Sequence, residues 1–405
     1  MIILAFCLLI NGRLVTKPHE HGIRRFFWIT VFLLLNVCGV HYLLAADEFM
    51  SGQVFREYWR GLLGALLLIF AVRDRKELEI FLAGVAAFSF LAGFEIIVGG
   101  QGGMERGRLE GFQFPGAQGS NGGSVVLLTG LPLISFFVLQ PKYLWMFFGS
   151  VCSAVFTLET IFRCNSRGAY VGLVAAGCVV LLVSKGAVRR KAILLTLLGS
   201  IGILAIAKNE RIWERFYSIF AESEQRDEAA DSRLYFWAAA VEMISDYPLG
   251  SGGKGAFYSA RGQAYIRDRY SDFRSVHNGP LDMAAAWGVQ GISAFLFLYS
   301  SSAIALYRKS KQLADFGRER DSFMGICILG SLGGGFVASC FTSVLDGEWF
   351  MWVAGLGLCY GDLAIEKENE LDQEDHEDEE ENVVDNTDLD EESITKVGKY
   401  QDATF

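Results

Sequence analysis

Stretches of about twenty apolar residues with few charges recur ten times along the chain. They lie near 26–46, 54–72, 78–98, 122–140, 142–162, 168–184, 191–207, 286–307, 322–343 and 348–365. A segment of that length covers about 30 Å of hydrocarbon as a helix, and lipid admits only helices or closed barrels. Barrel strands would alternate apolar and polar residues at period two, which these do not. A hydrophobic content of 52% and a mean hydropathy of +0.30 exceed what a soluble chain of this length carries. An eleventh run, Ile2 to Ile10, is half a span long, and its flank lacks the cationic region and small-residue cleavage site of a signal peptide. It reads either as a truncated first helix or as an interfacial starter segment. The fold class is therefore all-α, a polytopic transmembrane bundle of about eleven spans.

Lysine and arginine in the connecting loops give the orientation. The loops at 11–25, 73–77, 185–191 and 308–320 hold 16 of them, whereas the alternating set at 47–53, 99–121, 163–167 and 344–348 holds 4. The first set belongs in the cytoplasm and the second outside. The net charge of -10 is concentrated in residues 366–392, which contain 16 Asp or Glu and one Lys. A tail of this composition cannot bury a core, so residues 366–405 are expected to be a disordered acidic cytoplasmic segment, either solubilising or docking a basic partner.

Four regions follow: transmembrane helices over 1–207, a long external connection over 208–276, further transmembrane helices over 277–365, and the tail. Within the connection, Ile212, Trp213, Phe216, Tyr217 and Phe220 recur at helical spacing, suiting an amphipathic helix on the membrane surface. Asp231 or Ser232 suits the cap of a second helix, stopped by Pro248 and Gly250. The connection reads as a folded helical cap. Gly250 to Gly255 lacks the spacing of a phosphate loop and reads as a glycine hinge. The eight cysteines show no metal-site spacing and read as small buried hydrophobes, with Cys164 alone in an external loop. No nucleic-acid module is present in the pattern.

Four polar features fall on the external side. Arg167, in Ser-Arg-Gly, is either an interfacial anchor or a planar fork suited to a diphosphate. Arg233, near Trp237 on the second cap helix, is either a surface charge or the other half of such a clamp. Arg108, followed by Asn121, is either a solvated loop charge or a substrate contact. His277-Asn278 stands where the long connection meets the next apolar run, followed by Gly288 and Gly291. A lone histidine is usually structural, yet an imidazole there suits a base acting on a sugar hydroxyl. The two glycines, three apart, would let a neighbouring helix approach closely.

His-Asn-x9-Gly-x-x-Gly, with Ser166-Arg-Gly, Arg233-Leu-Tyr-Phe-Trp and Pro248-Leu-Gly-Ser-Gly upstream in order, resembles the signature of the O-antigen ligase and Wzy-type polymerase family. The resemblance extends from about residue 100 to the last run. It implies a GT-C-like membrane glycosyltransferase at the outer face of the bacterial inner membrane, with its active site towards the periplasm. Such an enzyme takes an undecaprenyl-diphosphate-linked glycan as donor and a lipid A core, a second glycan or a protein as acceptor, without metal or cofactor. In that picture Arg167 and Arg233 hold the diphosphate, His277 activates the acceptor hydroxyl, and Asn278, Arg108, Asn121 and Trp237 contact substrate. Two departures stand out. Val171 replaces a leucine common in ligases, and residues 113–122 lack the usual Pro-Asn pair, which bears on Arg108 and Asn121. A membrane transporter or binding protein on the same scaffold is the alternative. Transporters place charges or broken helices near mid-membrane, whereas these arginines and this histidine gather at one lip.

Overall fold

The computed structural model describes residues 21–105, 107–114, 117–194, 228–253, 256–266 and 275–361. In chain order these form α1 (His21–Leu44), α2 (Glu48–Ala71), α3 (Arg75–Ile97), two short hairpins, α4 (Gly119–Leu139), α5 (Leu144–Cys164) and α6 (Arg167–Val183). Residues 186–194 are helical, followed by α7 (Glu228–Asp246), α8 (Ala260–Gln263), α9 (Gly279–Asp315), α10 (Glu319–Ser339) and α11 (348–361).

Six of these helices, among the described residues, are long and apolar enough to cross a membrane: α1, α3, α4, α5, α9 and α10. The other expected spans fall on shorter or more polar ground. Helix α2 has the length but carries Arg56, Glu57 and Arg60, and α6 is apolar with only 17 residues. Ile2–Ile10, the amphipathic stretch at 212–220 and the acidic tail lie outside the described residues.

The expected all-α fold carries one addition. The stretch from Gly99 to Gly122, expected to be a loop, forms two antiparallel hairpins, β1 (Gly103–Glu105) with β2 (Arg108–Glu110) and β3 (Gln113–Phe114) with β4 (Ala117–Gln118).

Helices α4 and α10 form the centre of the bundle. Their apolar windows are 89% and 78% buried, against 28% for α1 and α5, whose outward faces suit lipid. Apolar side chains gain little by meeting one another in hydrocarbon, so close backbone approach and polar links matter more. At the α6–α10 crossing a Cβ on Gly172 would come within 2.7 Å of Ala338 Cβ and of the Gly334 carbonyl, which closes that position to larger residues. Buried hydroxyls add links between helices. Ser331 donates to the Thr129 carbonyl at 2.7 Å, Ser153 to Ala86 at 2.7 Å and Ser302 to Ala354 at 2.9 Å.

The two sets of loops separated by their charge lie at opposite ends of the bundle. At one end Glu79 meets Arg75 at 3.4 Å, Lys142 at 2.9 Å and Arg320 through a short bidentate pair. Asp321 there binds Arg75 at 2.6 Å and Arg318 at 2.9 Å. At the other end the α1–α2 turn, the hairpins, the α5–α6 turn and residues 340–347 come together.

Helix α9 is longer than the run expected at 286–307. Thirty-seven residues at 1.5 Å each reach about 55 Å. It is also broken: Gly288 has φ +81 and ψ 167, so the two glycines do not share one regular helical face.

Candidate functional site

The break at Gly288 interrupts the i to i−4 ladder, and a neighbouring segment completes it. Residues 248–252 run alongside as a strap that opens with a turn, Gly250 N donating to the Tyr247 carbonyl at 3.0 Å. Ser251 N donates to the Ala285 carbonyl at 3.0 Å, Gly252 N to Ala286 at 2.9 Å, and Val289 N to the Pro248 carbonyl at 2.8 Å. The Gln290 amide donates to Leu249 at 2.9 Å and to Asn36 Oδ1 at 2.9 Å, while Asn36 donates to the Trp287 carbonyl at 2.9 Å. At Gly250, with φ +99, a Cβ would stand 2.7 Å from Gly288 N, so only glycine fits. The expected glycine hinge is thus a packed strap. It is tied to the α1–α2 turn as well, through Ala46 N to the Ser251 carbonyl at 2.9 Å.

The start of α9 is built with equal economy. Asn278 is the N-cap, its side chain accepting from Leu281 N at 3.1 Å, and Pro280 follows in the first turn, where its missing N–H leaves nothing unpaired. A Cβ on Gly279 would lie 2.8 Å from Leu345 Cβ and 3.0 Å from the Ser339 carbonyl, so α9 begins hard against residues 339–345. His277 precedes this cap in left-handed backbone, φ 52, a conformation uncommon outside glycine that histidine, like Asn and Asp, enters more readily than other side chains. Its Nδ1 is 3.3 Å from Ser275 Oγ.

His277 lines an open cavity of about 530 Å³, within the range of about 300–1,000 Å³ typical of small-molecule sites. The walls come from α2 (Gln53, Val54, Glu57), the β3–β4 hairpin (Gln113, Phe114, Ala117), the start of α4 (Asn121, Gly122), Tyr258, Ser275, the first turn of α9 (Asp282) and residues 342–346. A separate small recess of about 10 Å³, with Asp282, Trp287, Ser343 and Asp346 among its walls, shares Asp282, Ser343 and Asp346 with it.

Of the residues singled out from sequence, His277 and Asn121 line this cavity, and the others are placed around it. Arg108 stands behind the wall. It donates to Asn121 Oδ1 at 2.7 Å, to the Cys164 carbonyl at 3.3 Å and to Ser120, and it lies 3.8 Å from Glu110. Ser120 in turn binds Glu110, Oγ to Oε1 at 2.7 Å. Arg108 is thus a bonded support for Asn121 and not a solvated loop charge. Arg167 opens α6 after Asn165, whose φ is 47. Gly168 beside it packs on Phe341, adjoining the cavity-lining residues 342–346. Arg233 lies one turn before Phe236 on α7, which starts at Glu228, ahead of the expected cap. Phe236, Ala240 and Met243 pack with Phe257, Ile266, Val276 and Ala285, with Trp237 partly buried beside them. Neither Arg167, Arg233, Trp237 nor Asn278 is among the lining residues, and Asn278 spends its side-chain oxygen on the cap. His41, the other histidine at this end, is buried, 3.0 Å from Ser51 Oγ, and stacked on Phe55.

The acidic lining residues, Glu57, Asp282 and Asp346, were not singled out from sequence. Burial and, after it, the charges of Asp282 and Glu57 push the Asp346 carboxyl from its ordinary 3.8 up to about 7. Tyr258 is raised as well, by burial and by Asp282. Two sequence signals pointed this way: Glu57 interrupts an apolar run, and 344–348 is an external loop with acids and no Lys or Arg.

Residues 152–296 match the family model described as O-antigen ligase. This stretch is similar to the O-antigen ligase family. The likeness supports a membrane enzyme of ligase or polymerase type. The matched segment runs from α5 to just past Gly291 and contains Arg167, Arg233, His277 and Asn278. Glu57, Arg108, Asn121 and Asp346 lie outside it. No curated protein matches the chain.

Proposed function

We propose that the protein is a glycosyltransferase that transfers or polymerises a glycan from an undecaprenyl-diphosphate-linked donor onto an acceptor hydroxyl at the outer face of the bacterial inner membrane. One observation carries the reading: His277, inside the family-matched segment, is held in left-handed backbone at the wall of an open cavity of about 530 Å³. The excess of Lys and Arg in the loops of the opposite end supports a cytoplasmic position for that end and a periplasmic one for the cavity.

The acceptor hydroxyl loses its proton to the His277 imidazole as its oxygen attacks the anomeric carbon. The bond from that carbon to the diphosphate breaks, and the electron pair leaves with the lipid diphosphate. Arg167 and Arg233, both in the matched segment, neutralise the departing charge; paired guanidinium groups suit a diphosphate because each offers a planar set of donors. Arg108 steadies Asn121 at the cavity wall. The step needs no metal and no cofactor, so EDTA leaves its rate unchanged.

Transfer from a lipid-linked glycan, measured with purified protein against a lipid A core, a second lipid-linked repeat and a protein acceptor, tests the reading and separates ligase from polymerase from protein glycosyltransferase. His277→Ala is expected to lower the rate by about 10²–10⁴-fold, the usual weight of a general base. Arg233→Ala is expected to lower it too, with the membrane level of each variant unchanged. Wild-type rates in both variants would remove the proposed roles.

A further inference from the structure

We infer that Arg56 and Arg60 of α2 form a docking site, reached from the outer leaflet of the bilayer, for the diphosphate head of the lipid-linked donor. Naming the donor rests on the transferase reading, whereas the placement of the two arginines stands without it. Tyr58, Leu62, Ala65 and Ile69 make the buried face of α2. Arg56 and Arg60 stand on the opposite face, one turn apart, in the series Phe49, Arg56, Arg60, Leu63 and Leu67. Both are exposed, and among the described residues neither is held by an ion pair or a hydrogen bond. At 1.5 Å per residue from Glu48, they lie about 12 and about 18 Å along the helix from the external turn.

Apolar side chains are exposed on either side of this depth. Nearer the turn, Leu43 is 81% exposed and Phe49 74%. On α1, which packs beside α2 through His41 and Phe55, Leu35 and Phe32 are exposed at about the level of the two arginines, counted from the shared turn. Hydrocarbon that covers Leu43 and Phe49 therefore reaches Arg56 and Arg60 as well. A charge at such depth is costly unless it meets water or a counter-ion, so an arginine there marks a ligand path. The Arg56 side chain turns back towards the external end. A Cβ on Gly52 would lie 3.9 Å from Arg56 Nη1, and the bare glycine leaves the guanidinium room. Such a planar fork takes phosphate oxygens bidentately. The occupant is a lipid because the same face continues in half-buried Leu63 and Leu67, along which a polyprenyl tail can lie. The donor is favoured over an ordinary anionic phospholipid by the adjoining face of the helix, where Gln53, Val54 and Glu57 line the cavity beside His277. A glycan on a head held at Arg56 has one helix, about 10 Å across, to round before it enters that cavity. Arg56 and Arg60 thus act before transfer, leaving Arg167 and Arg233 their proposed part in it.

The test uses full-length protein in detergent, with undecaprenyl diphosphate lacking sugar as the probe, followed by native mass spectrometry beside phosphatidylglycerol and phosphatidylcholine. The diphosphate lipid is expected to bind about tenfold tighter than phosphatidylglycerol, and Arg56→Gln/Arg60→Gln to lose about tenfold of that affinity with its melting temperature held. Arg56→Lys/Arg60→Lys keeps the charge without the fork and should fall between. Each single Gln substitution carries the same comparison if the double variant fails to fold. Undiminished binding in the Gln variants would overturn the site, and would do so equally if another part of the chain or a second copy covers this face. Phosphatidylglycerol bound as tightly as the diphosphate lipid, and lost equally on substitution, would overturn the donor assignment. In a transfer assay the Gln variant is expected to raise KM for the lipid-linked donor about tenfold with kcat within about twofold. Transfer with KM unchanged sinks the docking site and leaves the transferase standing, whereas arginine-dependent lipid binding without transfer to any acceptor does the reverse.

Discussion

The two ends of the bundle handle buried charge in opposite ways. At one end the two buried acids among the described residues are answered. Glu79 meets Arg75, Lys142 and Arg320, and Asp321 meets Arg75 and Arg318, while the Tyr360 hydroxyl donates to the Asp321 carbonyl. At the other end Glu57, Asp282 and Asp346 face a cavity whose described lining holds no Lys or Arg. Charges that are fully paired lock helices together, whereas like charges held near one another oppose folding and are kept where a ligand will use them. The contrast sets a fastening end against the end that holds the cavity.

Substitutions with the same chemistry should therefore act with opposite sign at the two ends. Glu79→Gln leaves three cations without their common partner and should destabilise by about 3–5 kcal/mol, read as a lower melting temperature in detergent; an unchanged melt would erase the distinction. Next in size, Gly288→Ala forces a Cβ into φ +81 and within 2.5 Å of the Leu249 carbonyl. It should cost about 1–3 kcal/mol and make the strap at 248–252 sensitive to protease.

Asp346→Asn should stabilise. The carboxyl titrates at about 7 in the folded protein against 3.8 ordinarily, so the native state holds the extra proton between those values. Native stability accordingly falls as pH rises from about 4 to 7. The gain from Asp346→Asn should be absent below pH 4 and reach at most about 4 kcal/mol above pH 7. A gain of equal size at pH 4 would contradict the assignment.

The smallest effect concerns Asn278. Asn278→Ala should cost about 1 kcal/mol through the lost cap, and Asn278→Asp should restore it. A transfer rate that stays low in a fully stable Asn278→Asp protein would show a substrate role beyond the cap.

Much of this arrangement was legible in the residues. Hydrophobic runs located α1, α3, α4, α5 and α10, and the Lys/Arg count separated the loops into the two ends that the helices form. His277 could be singled out because a loop-to-span junction is readable from composition alone. Other features depend on partners far away in the chain. Nothing local reveals that Gly288 leaves the helix, since its break is completed by residues about forty positions earlier. That the acids of the cavity meet was hidden for the same reason. Glu57 reads as a charge within an apolar run and Asp282 and Asp346 as helix-start and loop charges until α2, α9 and residues 342–346 bring the three to one wall. Arg108 showed the converse, a loop arginine whose bonds to Asn121 and Cys164 only folding creates.

The strap at 248–252 has a practical consequence for exchanging parts between relatives. It supplies hydrogen bonds to Ala285 and Ala286 and receives one from Val289, so the two stretches form a single cassette despite the loop between them. A chimera that imports a foreign external loop with a junction between 253 and 285 would graft one half of a zipper onto the other half of a stranger. Joints set before Tyr247 and after Gly291 would carry the fitted pair together, with His277 delivered in its own frame.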